Sequence, residues 1–362
     1  MKKKLLALIL IATMVMALAA CGNSDSGDGS DGGGVSADSN ITILDYADLR
    51  SLYPLDIGTQ SDTQPMFLLY DSLLRLSPDQ EYIWMLAEGC DVSEDGLEYT
   101  FTLREGISFS DGTPWNAEAA KANLDVMADQ SRGYNNQYQY SCIASTVKVT
   151  LSEVHAPFLN ALATESGCMV SPKSLEAGDE VLASQPVGTG QYTLEERRAG
   201  EYTRLALNRD WWGYDAEICG GEPLVEADCG FNTITIRPIT EEATRVAMLQ
   251  SGEADIIYSF SYVNRPVIES SGATILSKVG VQIGYMYFNC EKEVFQDERV
   301  RQALAMAIDI DSLNEVVYGG DYVKPNSFLT SSINFYKEME PLKYDPEAAK
   351  ALLAEAGYGD GL

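Results

Sequence analysis

The chain is poor in the residues that most chemistry requires. Among 362 residues there is one histidine, His155, so a metal site or catalytic triad that needs two imidazoles is excluded. No Cys-x-x-Cys pair occurs, which removes zinc-ribbon and thioredoxin readings. Neither His-Glu-x-x-His nor Gly-x-Ser-x-Gly is present, so the sequence gives an enzyme no motif, and no cofactor is expected. Basic charge is scarce as well: 25 Lys and Arg stand against 54 Asp and Glu, a net charge of −29. Nucleic acid needs a basic face that displaces phosphate counterions, so it is not an expected partner. The acidity reads first as solubility and second as a field that steers cationic solutes.

Only one long apolar run exists, Leu5 to Ala20, preceded by Lys2, Lys3 and Lys4 and ending in small residues before Cys21. At 16 residues it falls short of the ~20 that span a bilayer as a helix, and it has the layout of a signal peptide over residues 1–20. Leu18-Ala19-Ala20-Cys21 resembles the bacterial lipobox, which implies lipidation of Cys21 and an extracytoplasmic protein held at the membrane by that lipid alone. Residues 21–40 are mostly Gly, Ser, Asp and Asn, a composition that cannot close an apolar core and serves as a flexible tether.

The remainder alternates strand and helix patterns, which predicts an α/β architecture of about two domains. Leu97, Tyr99, Phe101 and Leu103 alternate with polar residues behind an Asp95-Gly96 turn, so a hairpin with one buried face is expected. Asn116 is placed to cap a helix striped by Ala120, Leu124, Met127 and Ala128. Thr240 with Glu241 and Glu242 starts a helix that Gly252 ends, and Ala254 to Tyr258 then reads as a buried strand. Asp297 opens a helix striped by Val300, Leu304, Ala307 and Ile308. Asp345 as N-cap, Pro346 at the first helical position, inward Leu352 and Leu353, and Gly357 at the end define the last one. His155, between a strand pattern and Pro157-Phe158, is read as a turn histidine.

Several blocks together resemble the family 5 bacterial solute-binding proteins, the receptors of peptide and nickel importers. They are Tyr70 to Leu74, Leu86 to Leu124, PVGTGQYTL from Pro186, NRDWWG from Asn208, Ile234 to Ile256, Tyr287 to Leu313, and YDPEAAKALLAEAGYGDG from Tyr344. The ordered series carries the resemblance, since Gly188-Thr189-Gly190 alone is only a tight turn. It implies a periplasmic binding protein type II fold of two lobes with an additional family-specific domain. On that basis residues 41–75 and 186–284 form the first lobe, 76–185 the additional domain and 285–362 an incomplete second lobe. Family members continue beyond the matched segment, so a truncated gene or a fragment is the expectation.

The resemblance also implies a function without chemistry: capture of a small peptide, di- or oligopeptide or glutathione-like, in an interlobe cleft, by a monomer that delivers it to an ABC permease with its ATPase. A nickel-chelate receptor is the first alternative, and a surface sensor or adhesin on the same fold the second. Cleft-facing positions are expected at Tyr53, Gln60, Thr63 and Gln64, and in the polar aromatic run holding Arg132, Tyr134, Tyr138 and Tyr140. There a guanidinium would pair with a ligand carboxylate and tyrosines would stack. That run reads equally well as a solvated loop. Cys219 and Cys229 share one longer loop and fit a disulfide, with free or metal-binding thiols as the alternative. Cys90, Cys142, Cys168 and Cys290 lie in or beside apolar runs and are expected as buried small residues, and the four tryptophans as packing residues.

Overall fold

The computed structural model describes residues 39–361 except 58, 78, 129–137, 144, 227–229, 279, 281–282, 328 and 334–335, and gives only the backbone of 138–143. The chain divides into two compact units, Met1–Ser259 and Phe260–Leu362.

Eleven strands are described in the first unit: β1 Asn40–Asp45, β2 Leu74–Leu76, β3 Tyr82–Trp84, β4 Ala87–Val92, β5 Glu98–Leu103, β6 Tyr138–Ile143, β7 Thr146–Leu151, β8 Tyr192–Arg198, β9 Tyr202–Leu207, β10 Thr233–Pro238 and β11 Ile256–Ile257. Its helices are α1 Gln60–Thr63, α2 Met66–Leu69, α3 Ala117–Ala128, α4 Phe158–Leu162, α5 Pro172–Ala177, α6 Asp179–Ser184 and α7 Glu242–Ser251. One sheet runs β11-β1-β10-β9-β8, parallel at β1 with β10 and β11 and antiparallel beyond. A second, antiparallel sheet runs β4-β5-β7-β6.

Each sheet has its own core. Ile41, Ile43, Leu205, Ile234 and Ile236 project from the first sheet onto Leu52, Met66, Leu69 and Tyr70. Tyr99, Phe101, Leu103, Val147 and Val149 of the second pack with Leu124 of α3 and with Trp115, Trp211 and Trp212. The predicted hairpin is β4 and β5, with Gly96 at φ +70° and the Asp95 carboxylate accepting the Leu97 amide at 3.1 Å. Asn116 caps α3 as expected, its Oδ1 accepting the Ala119 amide at 2.9 Å. Two turns on, buried Asn123 holds the Val170 backbone at both groups, at 2.8 Å each, as a strand neighbour would.

A buried carboxylate ties the two cores together. Asp71, fully buried, accepts from Arg75 (2.7 Å), Thr189 (3.1 Å), Trp211 (3.3 Å) and Trp212 (2.8 Å). The indole donors explain why both tryptophans follow one another in the NRDWWG block: each buries its ring and satisfies Asp71 with its N–H. The glycines beside Thr189 are set by close approach, because a Cβ on Gly188 would lie 2.2 Å from the Leu69 carbonyl oxygen and one on Gly190 2.4 Å from that of Leu68.

The second unit is helical, with α8 Arg265–Ser270, α9 Glu293–Gln296, α10 Glu298–Met306, α11 Ile310–Tyr318 and α12 Pro346–Glu355. Asp297, Asp309 and Asp345 cap α10, α11 and α12 by accepting the amides of Arg299 (2.9 Å), Ser312 (3.0 Å) and Ala348 (2.9 Å). Helices α10 and α12 are joined where the Arg299 guanidinium donates to the Glu355 carbonyl at 2.9 Å. Gly357 takes φ +92° after α12.

Five expectations need correction. Helix α7 begins one residue late, with Glu241 at the N-cap, because the Thr240 carbonyl is bound by Arg245 rather than opening the helix. The strand expected over Ala254 to Tyr258 is only β11, half-buried, since it pairs on one side with β1. In α10 only Val300 and Ala303 are buried, Leu304 is half-buried, and the helix ends at Met306 before Ile308. Cys290 is exposed in a turn of the second unit, where no core reaches it, whereas Cys168 is buried and Cys90 half-buried. Leu352 and Leu353, expected to face inward, are half-buried, and Ala349 alone of α12 is fully buried.

Candidate binding edge of the parallel strands

In an open α/β sheet the backbone leaves the carboxyl ends of parallel strands in diverging directions, and ligands bind in the crevice that results. Here that edge is formed by the ends of β1, β10 and β11, at Asp45, Pro238 and Ile257. The chain keeps these ends close by continuing the ladder past them: the Ile239 amide donates to the Asp45 carbonyl at 2.8 Å and the Tyr258 amide to that of Leu44 at 2.9 Å.

Asp45 is wholly buried. Its Oδ1 accepts the Tyr46 amide at 2.6 Å and the Ser61 hydroxyl at 2.8 Å, while Oδ2 has no hydrogen-bond partner among the described residues. Ser61 comes from α1, which is fixed by reciprocal capping: Thr59 and Asp62 each hold the other's backbone amide, and Asp62 also receives the Arg50 amide (2.8 Å) and side chain (3.2 Å). Gln64, at the end of that helix, is half-buried, with its Oε1 buried and unpaired among the described residues. Burial first, and the Asp45 charge second, push the Tyr258 hydroxyl above its ordinary range.

A positive group faces the neighbouring strand end. Arg245 of α7, 3% exposed, donates to the carbonyls of Ile239 (2.7 Å), Thr240 (3.0 Å) and Ser259 (2.8 Å). Its Nε is buried without a partner among the described residues. The edge therefore holds acceptors at β1 and a guanidinium at β10, groups suited to fixing a ligand by hydrogen bonds and charge. Among the described residues no group of three or more His, Cys, Asp and Glu is positioned to hold a metal ion.

Of the positions expected at the cleft, Gln60, Thr63 and Gln64 sit on or beside α1, next to this edge; Gln60 is exposed, and the Thr63 hydroxyl donates to its carbonyl at 2.8 Å. Tyr53 is buried in the first core, at the N-cap of a short 3-10 turn. Tyr138 and Tyr140 lie on β6, the outer strand of the other sheet, opposite Leu151 and Val149. Cys21, Arg132, Tyr134 and Cys229 lie outside the described residues. Cys219, the expected partner of Cys229, has no disulfide partner among the described residues, and burial chiefly raises its thiol pKa. His155 stands half-buried at the turn into α4, its carbonyl accepting the Phe158 amide at 3.0 Å. Sequence reasoning missed Asp45 and Arg245. Their signals were an acid closing the apolar run of β1 and an arginine on the inner face of α7.

The parallel-strand edge and the sheet order place the fold among the periplasmic binding proteins of type II, mixed α/β proteins. The chain belongs to the bacterial extracellular solute-binding proteins, family 5, whose middle region matches residues 81–362. It is 32% identical over 335 residues to the glutathione-binding protein GsiB of Salmonella typhi, covering 90% of this chain and 62% of that relative's length. Two solved structures share the fold. The periplasmic binding protein DppA of Helicobacter pylori, in complex with the peptide STSA, is 23% identical at a TM-score of 0.73, over 90% of this chain and 67% of that one. NikA of Brucella suis, in complex with Fe(III)-EDTA, is 26% identical at 0.71, over 87% and 64%.

Proposed function

We propose that this chain is the solute-capturing component of an ABC importer and that its ligand is a small peptide of the di-, tripeptide or glutathione class. The observation that carries the reading is the match to a glutathione-binding protein over 90% of the chain. The polar strand edge supports it, because a peptide presents an ammonium, a carboxylate and amides, and Asp45, Gln64 and Arg245 offer the complementary groups. Gln60 and Thr63 line the same approach, and Arg132, Tyr134, Tyr138 and Tyr140 are further candidates for ligand contact. The first lobe comprises residues 41–75 and 186–284, the additional domain 76–185 and the second lobe 285–362. Lipidated Cys21 holds the protein at the outer face of the membrane, where it passes ligand as a monomer to the permease and its ATPase.

Titration calorimetry of the chain with di- and tripeptides, glutathione, and nickel with a histidine chelator tests the ligand class. Peptide or glutathione heats with none from the chelate are expected. Binding of the chelate alone would overturn the reading in favour of a metal-chelate receptor. For the anchor, radiolabelled palmitate is expected in the wild type and not in Cys21→Ser, and equal labelling of both sinks that assignment.

A further inference from the structure

Among the described residues two that carry a Cβ take a positive φ, Gln80 at 62° and Ser259 at 55°. Gln80 is explained by its turn. Its amide donates to the Ser77 carbonyl at 2.9 Å and the Ser77 amide donates to the Glu81 carbonyl at 2.8 Å, closing the connection between β2 and β3. Ser259 has no such turn. It stands two residues beyond β11, enters no backbone–backbone hydrogen bond among the described residues, and exposes its side chain. What holds it is its carbonyl, which accepts from the buried Arg245 at 2.8 Å. A left-handed residue with a Cβ persists only where its surroundings over-determine it, and here the surroundings are one guanidinium.

Position gives this strain a consequence. The first unit ends at Ser259 and the second begins at Phe260. The Tyr258 amide is still fixed to the Leu44 carbonyl at 2.9 Å, so Ser259 is the first residue past the hydrogen bonds of the sheet, and its dihedrals set the direction in which the chain leaves the first unit. The same guanidinium donates to the carbonyls of Ile239 (2.7 Å) and Thr240 (3.0 Å), between β10 and α7, which anchors it in the body of that unit. Three carbonyls are reached at once through the planar fork that only arginine carries. We propose that Arg245 is a latch on the junction: it holds Ser259 left-handed and thereby fixes the path of the chain into the second unit. Its release lets Ser259 relax to ordinary backbone angles and opens residues 258–261 to solvent. The inference holds whichever solute the protein binds.

Chymotrypsin reads the junction, because Tyr258 and Phe260 flank Ser259 and cutting there follows the population of the open form. The full chain is digested briefly under native conditions and cuts after Tyr258 and Phe260 are counted by mass. Each rate is divided by that of a peptide of residues 254–264 carrying the same residue at 259. Arg245→Lys, which keeps the charge and loses the fork, should raise the normalised rate about ten-fold or more. Ser259→Val should raise it as well, although no side-chain contact is lost, because a β-branched residue is a poor occupant of the left-handed region. Ser259→Asn, which tolerates that region, should lower the rate about three-fold, in the wild type and in Arg245→Lys alike. That rescue separates a latch from a merely structural role, since an arginine that served only Ile239 and Thr240 would be indifferent to the residue at 259. Cutting of Ser259→Val no faster than wild type overturns the proposal, and so does a rate in Arg245→Lys that Ser259→Asn leaves unchanged. Where Arg245→Lys does not fold, the two Ser259 substitutions in the wild-type chain decide it.

Discussion

In the first unit Leu44, Phe101 and Leu124 lose all contact with water, whereas in the second Leu313, Val316 and Tyr287 keep half or more of their surface in it. Local devices do not explain the contrast. Asp297, Asp309 and Asp345 cap their helices with hydrogen bonds as good as that of Asn116 in the first unit. What differs is reach. The first sheet is assembled from β1 and from strands about 150 to 215 residues further along, and its inner face meets α2 and Tyr70. Among the described residues of the second unit only Ile268, Val300, Ala303 and Ala349 are buried apolar residues. Capping and helix propensity decide that a segment is a helix, but long-range partners decide whether its apolar face leaves water.

The sharpest way to break this comparison is to remove Asp71, on which both cores of the first unit depend. Asp71→Ala takes the counter-charge from the partly buried Arg75 guanidinium and leaves the indole N–H groups of Trp211 and Trp212 unpaired, and should cost about 3–5 kcal/mol. Urea unfolding followed by tryptophan fluorescence measures it, as all four tryptophans lie in the first unit. A loss below about 1 kcal/mol would mean that Asp71 is not the tie the geometry makes it.

A matched pair of truncations sharpens the comparison. Leu44→Ala, wholly buried in β1, should cost about 2–5 kcal/mol by the loss of buried surface and the cavity left behind. Leu313→Ala, half-exposed on α11, should stay within about 0.5 kcal/mol. Equal costs at the two positions would contradict the closed and open states assigned to the two units.

Much of the first unit was legible because its signals are local: the Asp95-Gly96 turn, the alternation of β5, the Asn116 cap and the glycine stops all rest on residues within one element. The polar edge was not. Asp45 meets Ser61 across sixteen residues and Arg245 meets Ser259 across fourteen, and no periodicity records such meetings. The same limit explains Cys290 and the stripe expected on α10. An apolar pattern states which residues would be buried if a partner arrived, and Val300 and Ala303 found one in α12 while Ile308 did not find full cover.

The smallest expected effect isolates what the second unit achieves by local means alone. The Asp297 carboxyl lies below its ordinary value of 3.8, held there first by a hydrogen bond from the Arg299 side chain and then by one from the Arg299 amide. A carboxylate whose folded pKa is depressed stabilises the fold above the ordinary value and loses that contribution as pH falls through the lower, folded one. Helix α10 should therefore lose its cap only below pH 3.8. Carbon-detected titration of the side chain should place its midpoint under that value in the wild type and nearer to it in Arg299→Ala, which retains only the amide. Asp297 and Arg299 are half-buried and two residues apart, so the midpoint reports a contact made within one turn of chain. A midpoint that ignores the loss of Arg299 would show that the cap does not rest on that contact and would erase the distinction between local order and closure on which the contrast of the two units rests.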